Sequence, residues 1–441
     1  MKTKAVIENG FKEIEIGLIP EDWETTTLEN EKLFEFANGL WKGKKVPFVT
    51  AKVIRNTNFN NDGTLSLDNV AELDVEERQF IKRQLSGGDI ILERSGGGPK
   101  QPVGRVVFFD LKEVNYSFSN FTTRIRVKDI NKIQPKYILY YLLHFYNRGC
   151  TYELQQRTTG IRNLNFKDYK KIQVPLPSLT EQRKIAFVLL KIQQATEQQH
   201  RIIETTRELK KSLMNKLFTE GLHGEEQKET EIGLIPKKWD VIEVDNLGEI
   251  ITGTTPPTNN KKYYTGGGFQ FISPVDLGDT KYVYKTKKEI SLEGLRVSRV
   301  LPKDAVLIVC IGSTTGKVGL TFKDKSTTNQ QINTVICKDE FNPHFIYYLL
   351  NFECNYIRSL STPSPVPILS KGKFQRAKIP IVKNKQEQDK IAEILSAIDE
   401  KIEKAEYRKQ TLQALFKTML NQLMTGKVRV KDFDFEVNQN V

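Results

Sequence analysis

The stretch "GSTTGKVG" (312–319) places glycines and a lysine much as a phosphate-binding loop does. Only three residues separate Gly312 from Gly316, however, and Val318 follows Lys317 where Mg²⁺ binding needs a hydroxyl. The four histidines, at 144, 200, 223 and 344, include no pair with another His or a Cys at metal-ligand spacing. Asp89 and Asp304 hold matching places, each before a buried strand and without a second carboxylate nearby in sequence. These residues assemble no catalytic constellation and no metal site, and they call for no cofactor.

"NPHF" (342–345) resembles the Asn-Pro-Pro-aromatic element of adenine-methylating enzymes, with His344 at the third position, but "QPKY" (134–137) stands in the same place earlier in the chain. Both open an aromatic-rich helix, so Asn342 as N-cap with Pro343 at the first helical position accounts for it. What remains is recognition chemistry. The turn "RSGGGPKQPVGR" offers Arg94, Ser95, Lys100, Gln101 and Arg105 on a glycine-rich backbone, and "QQRTTGIRNLN" offers Arg157, Thr158, Arg162 and Asn163. Further along, "TGTTPPTNNKKYY" carries Thr254 and Thr255, "GSTTGK" carries Ser313, Thr314 and Lys317, and "STTNQQINT" carries Gln330. These side chains donate to phosphates and base edges, and glycine lets backbone N–H groups approach closely. Each loop alone is more readily a solvated turn than a DNA contact; it is their number, on both halves of a basic chain, that favours recognition.

The elements that hold these loops follow from a duplication. "EIGLIPEDW" (15–23) reappears as "EIGLIPKKW" (231–239), with seven of nine positions identical. The order continues through "GDIILERSGGGPKQPVGRVVFF" against "KDAVLIVCIGSTTGKVGLTF", "QPKYILYYLLHF" against "NPHFIYYLLNF", and "TEQRKIA" against "QEQDKIA". The spacing is far too long for a solenoid, so the chain is two tandem copies of one unit. Each copy predicts an α/β (α+β) recognition domain, over 10–175 and 231–382, followed by a long helical spacer over 178–225 and 385–426. In the second spacer Ile391, Leu395, Ile398, Ile402, Ala405, Lys409, Leu412, Phe416, Met419 and Leu423 step by 4 and 3 as a coiled-coil seam does. The first gives a looser stripe through Ile185, Leu189, Ile192, Ala195, Gln199, Ile202, Thr206, Leu209, Leu213 and Leu217. The two stripes are expected to pack against each other, antiparallel.

The 441 residues carry a formal net charge of +13, which points to a polyanionic partner, nucleic acid first and an anionic membrane surface second. Four cysteines without CxxC spacing fit a reducing, cytoplasmic setting, and no apolar stretch approaches the ~20 residues needed to span a bilayer.

With the repeated "EIGLIPxxW", the paired "PLPSLTEQRKIA" and "IPIVKNKQEQDKIA", and the closings "LFTEG" and "LMTG", the chain closely resembles the specificity subunit of type I restriction–modification systems over nearly its whole length. The second copy departs slightly, lacking the Pro-Leu-Pro of the first and carrying Asp389 where the first has Arg183. The resemblance implies two target-recognition domains that each bind half of a bipartite double-stranded DNA site. It also implies that an antiparallel coiled coil sets the spacing and docks methyltransferase subunits, two of them, with restriction subunits as further partners. The subunit itself would catalyse nothing, leaving adenine methylation and cleavage to those partners. A fused S-adenosylmethionine-dependent adenine methyltransferase and a protein-binding coiled-coil scaffold stand as alternatives; cofactor binding would mark the first, and salt-dependent DNA binding would separate recognition from the second.

Overall fold

The computed structural model describes residues 10–433 except 42, 44, 99, 100, 159, 160 and 279, and the side chains of Arg157 and Thr158 are also outside the described set. Two compact units form: residues 1–197 with 410–441, and residues 198–409. Each unit therefore takes one globular domain, the start of the long helix that follows it, and the end of the other long helix.

The repeated opening phrase is a hairpin and an anchor. Gly17 and Gly233 turn the hairpins Phe11–Ile14/Gly17–Pro20 and Gln227–Thr230/Gly233–Pro236 at φ of 105° and 109°, a left-handed conformation that a side chain would strain. The tryptophans that end the phrase, Trp23 and Trp239, are buried in the cores of their units.

In the first unit an antiparallel sheet runs in the order Phe34–Asn38, Thr122–Val127, Asp89–Glu93, Val106–Phe109. The second unit repeats it with Gly248–Thr252, Ile332–Cys337, Val306–Val309 and Val318–Thr321, and adds Tyr282–Val283 parallel to the last strand. A smaller sheet accompanies each. Phe48–Ile54 pairs with Ala71–Glu76 and, in parallel, with Tyr116–Phe118; Phe269–Ile272 pairs with Lys288–Ile290 and, in parallel, with Thr327–Thr328. The aromatic helices Pro135–Asn147 and Pro343–Phe352 are buried along most of their length. Asn342 caps the second as expected, accepting from the amides of His344 at 2.8 Å and Phe345 at 3.2 Å.

The repeated Glu-Gln of the helix motif has a structural task. Gln182 and Gln388, both buried, sit in the first turn of the long helices Leu179–Glu220 and Lys385–Met424. Gln182 accepts from the Gln134 amide at 3.0 Å and donates to the carbonyls of Lys132 and Pro177 at 3.1 and 2.9 Å. Gln388 accepts from the Asn342 amide at 2.8 Å and donates to the carbonyls of Glu340 and Val382 at 3.4 and 2.8 Å. One side chain in each unit thus joins the aromatic helix to the long one.

Within each unit the two helix segments run antiparallel. In the first unit Arg429, just past the second helix, binds Glu181 through two bonds at 2.7 and 2.8 Å, and Ile185, Leu189, Phe416, Leu420 and Leu423 share one core. In the second, Arg207 meets Glu406 at 2.6 Å, Lys210 meets Asp399 at 2.6 Å, and Ile203 packs with Ile402 and Ala405. Of the expected seam residues, Ile185, Leu189, Ile391, Leu395 and Ile402 are buried, and Leu213, Ile398 and Leu412 are half-buried. Leu209 is a correction. It is 50% exposed, and the seam runs one residue over, through Ile203 and Lys210. Among the described residues no helix is long and apolar enough to cross a membrane.

Candidate nucleic-acid interface

In the first unit the turns after Asn38, before Thr122, after Glu93 and before Val106 all leave the same end of the central sheet. Two stretches that lie 60 residues apart in sequence join there. Ser95–Gly97 pairs with Ile161–Leu164, which pairs with Gln155–Thr158, so Gly97 faces Arg162 and Ser95 faces Asn163. The Ser95 hydroxyl hydrogen-bonds the Asn163 amide oxygen. Arg157 lies opposite Arg162 by backbone register and Thr158 opposite Ile161; their side chains, and all of Lys100, lie outside the described residues.

Arg94 lies half-buried over the Phe166 ring, 4.6 Å from its centroid, and donates to Asn38 at 2.7 Å. Burial pushes its guanidinium down from the ordinary arginine value, although arginine stays charged. Phe36 meets Phe166 edge-on at 5.3 Å, and Lys170 sits 5.8 and 5.9 Å from the same two rings. Two cations are thereby held on an aromatic platform beside the Ser95–Asn163 pair.

Arg105 leaves the candidate set. It is 9% exposed, and its guanidinium is consumed by Glu93, at 2.9 and 2.8 Å, and by the carbonyls of Phe59 and Asn56, at 3.2 and 3.0 Å. Gln101, exposed on the same turn, directs its side-chain amide at Arg105, and the amide oxygen is the atom that can accept from that guanidinium. Sequence reasoning missed Trp41 and Phe121, which are 63% and 44% exposed at this end of the sheet. The signal for Trp41 was the run "GLWKGKK", an aromatic among glycines and lysines.

In the second unit the matching end carries three loops, entered after Thr252, after Val309 and before Ile332. Thr255 donates to Gln330 at 2.5 Å, Thr252 to Asn333 at 2.7 Å, and the Thr254 hydroxyl is buried without a partner among the described residues. Ser313 and Thr314 are exposed on the next loop and Lys317 is half-buried at its exit. Arg299 and Arg358 lie beside these loops, donating to the carbonyls of Thr252 at 2.5 Å and Ser313 at 3.4 Å; neither was singled out from sequence. Asp89 and Asp304, by contrast, are structural. Asp89 takes two bonds from Arg126 at 2.6 and 2.7 Å, and Asp304 accepts from the Tyr282 hydroxyl at 2.7 Å. Among the described residues no group of three or more His, Cys, Asp or Glu could hold a metal ion.

The two units thus present loop clusters at equivalent sheet ends with different side chains, cationic and aromatic in one, hydroxyl- and amide-rich in the other. Residues 20–206 and 236–414 match the family model of the type I restriction modification DNA specificity domain. The chain is 29% identical over 440 residues to a Methanocaldococcus jannaschii protein bearing the name of the MjaX type I restriction enzyme specificity subunit, covering 96% of this chain and 98% of that one. It is 25% identical over 447 residues to the MjaVIII specificity subunit of the same organism, covering 97% and 98%. A crystal structure of a type I restriction–modification S subunit from M. genitalium shares the fold, with a TM-score of 0.61 at 17% identity over 95% of this chain and 97% of that one.

Proposed function

We propose, from the premise that this chain belongs to the type I restriction–modification DNA specificity family, that its two loop clusters are two readers of one bipartite DNA site. The chain is the DNA sequence-specificity subunit of a type I restriction–modification system; it recognises DNA, acts in complex with other subunits of that system, and is not itself the enzyme. The observation that carries the two-reader proposal is the repetition of one sheet end in both units with its side chains changed. Duplicated frames with diverged loops suit two different half-site sequences.

In this reading Arg94, Ser95, Arg162 and Asn163, with Lys100, Gln101, Arg157 and Thr158, serve the first half-site. Thr254, Thr255, Ser313, Thr314, Lys317 and Gln330 serve the second. The domain limits we propose are 10–175 and 231–382. Two modification subunits, which methylate adenine, are the proposed partners, restriction subunits join them for cleavage, and the working compartment is the cytoplasm. Replacing residues 24–170 by the equivalent domain of a relative, followed by methylome sequencing of a host that also expresses the modification subunit, tests the proposal. One half of the methylated motif should change and the other stay. A swap that alters both halves would overturn it.

A further inference from the structure

The two long helices are copies in constant register: Glu387 answers Glu181 and Thr425 answers Thr219, 206 positions apart in both cases and with no insertion between. In that register Asp399 answers Gln193, and Phe416 answers Lys210. Tyr348 likewise answers Tyr140 on the aromatic helices, each five residues after the proline that opens its helix. The structure brings each set of three together, but with opposite chemistry.

In the first unit the set is neutral. Tyr140 donates to the Gln193 amide oxygen at 2.6 Å, Gln193 donates to the Asp62 carbonyl at 2.7 Å, and the Phe416 ring lies edge-on to Tyr140 at 6.1 Å. In the second it is ionic. Asp399 is buried and accepts from Lys210 at 2.6 Å and from the Tyr348 hydroxyl at 2.6 Å, while the Lys210 ammonium lies 5.4 Å from the Tyr348 ring.

We infer that these two sets are a pairing code: they make each long helix accept the other helix of the chain and refuse its own counterpart on a second copy. A duplicated chain faces that competition because its two helices share frame and length. If two second helices paired in the same antiparallel register, Asp399 would meet Phe416 and lose its counter-ion. If two first helices paired, Lys210, whose side chain is only 16% exposed, would meet Gln193 and be left with only an amide. A charge buried without its partner is strongly unfavourable, and one polar position in a helix seam is enough to select partner and register. The correct pairing alone satisfies both sets. This inference is independent of how DNA is read.

The test uses the full chain. K210F/D399Q rewrites the second seam in the chemistry of the first; Q193D/F416K does the reverse. Each variant and the wild type is made with two different tags, and the two tagged pools are mixed, denatured and refolded together at rising concentration. Light scattering and capture through one tag then measure the other. Wild type and K210D/D399K, which keeps an opposite-charge pair, should show background co-capture. Both rewritten variants should exceed that by at least about tenfold, increasing with concentration. The inference is overturned if the rewritten variants refold with native circular dichroism and remain at background, or if wild type exchanges as freely as they do. Failure of both to fold would also overturn it, since the pair would then be a requirement of folding rather than of partner choice.

Discussion

Arg94 and Arg105 belong to one glycine-rich turn, and their surroundings assign them opposite roles. Arg94 has no acidic partner among the described residues, so Arg94→Ala should weaken cognate DNA binding by about 1–3 kcal/mol and relax one position of the motif, with the melting temperature little changed. Arg105→Ala strips the partner from the buried Glu93 and should cost roughly 3–5 kcal/mol of stability in denaturant titration. Unchanged DNA affinity in Arg94→Ala would remove that residue from the reader. The sequence displays both arginines on a turn, yet only the strand register shows that Glu93 points at one of them. His144 gives a second residue-scale test. It is buried on the first aromatic helix where the second has Phe352, and desolvation pushes its imidazole down to about 4. An unfolded histidine titrates near ~6.5, so below that pH the unfolded chain binds more protons than the folded one. Stability should therefore fall as pH drops from about 6.5 to about 4, by roughly 2–4 kcal/mol from this group. His144→Phe should flatten that portion of the stability–pH curve; an unaltered slope would mean another group is responsible.

At the scale of elements, the second helix was legible because its seam is apolar at nine of ten positions, with one shift near its end, where Met419 is half-buried and Leu420 takes the place in the core. The first misled over two turns, naming Ile202 and Leu209 where Ile203 and Lys210 face the seam. Between Thr206 and Leu213 the heptad admits either Leu209 or Lys210, and hydrophobicity favours leucine. The structure selects the lysine, because Asp399 waits across the seam. Ile203→Asp, at a residue 3% exposed, should cost several kcal/mol, as should Leu395→Asp. Leu209→Asp should stay within about 0.5 kcal/mol. Thermal melts of the three variants decide it, and equal loss at 203 and 209 would contradict the register. The three-stranded sheet joining 95–97 to 155–164 was not legible at all, since its strands are short and largely polar, and the one at 95–97 is mostly glycine.

For the molecule as a whole, duplication was the most readable property, because repeated phrases in fixed order need no secondary-structure assignment. Its positive charge carries a further expectation. DNA affinity should fall steeply between about 50 and 200 mM salt, with log Kd linear in log salt, as phosphate contacts release counterions. A flat salt response would point away from DNA. The division into units also sets an order in time. Residues 198–409 are one continuous stretch, whereas the first unit needs Phe416, Leu420, Leu423 and Val430 to cover Ile185, Leu189 and Trp23. On the ribosome, then, the domain made first is completed last, and it must wait with its apolar helix face open while the second is synthesised and folds. A nascent chain arrested after residue 409 should show a protease-resistant second unit and a first unit still open to cleavage and to chaperones that bind exposed apolar surface.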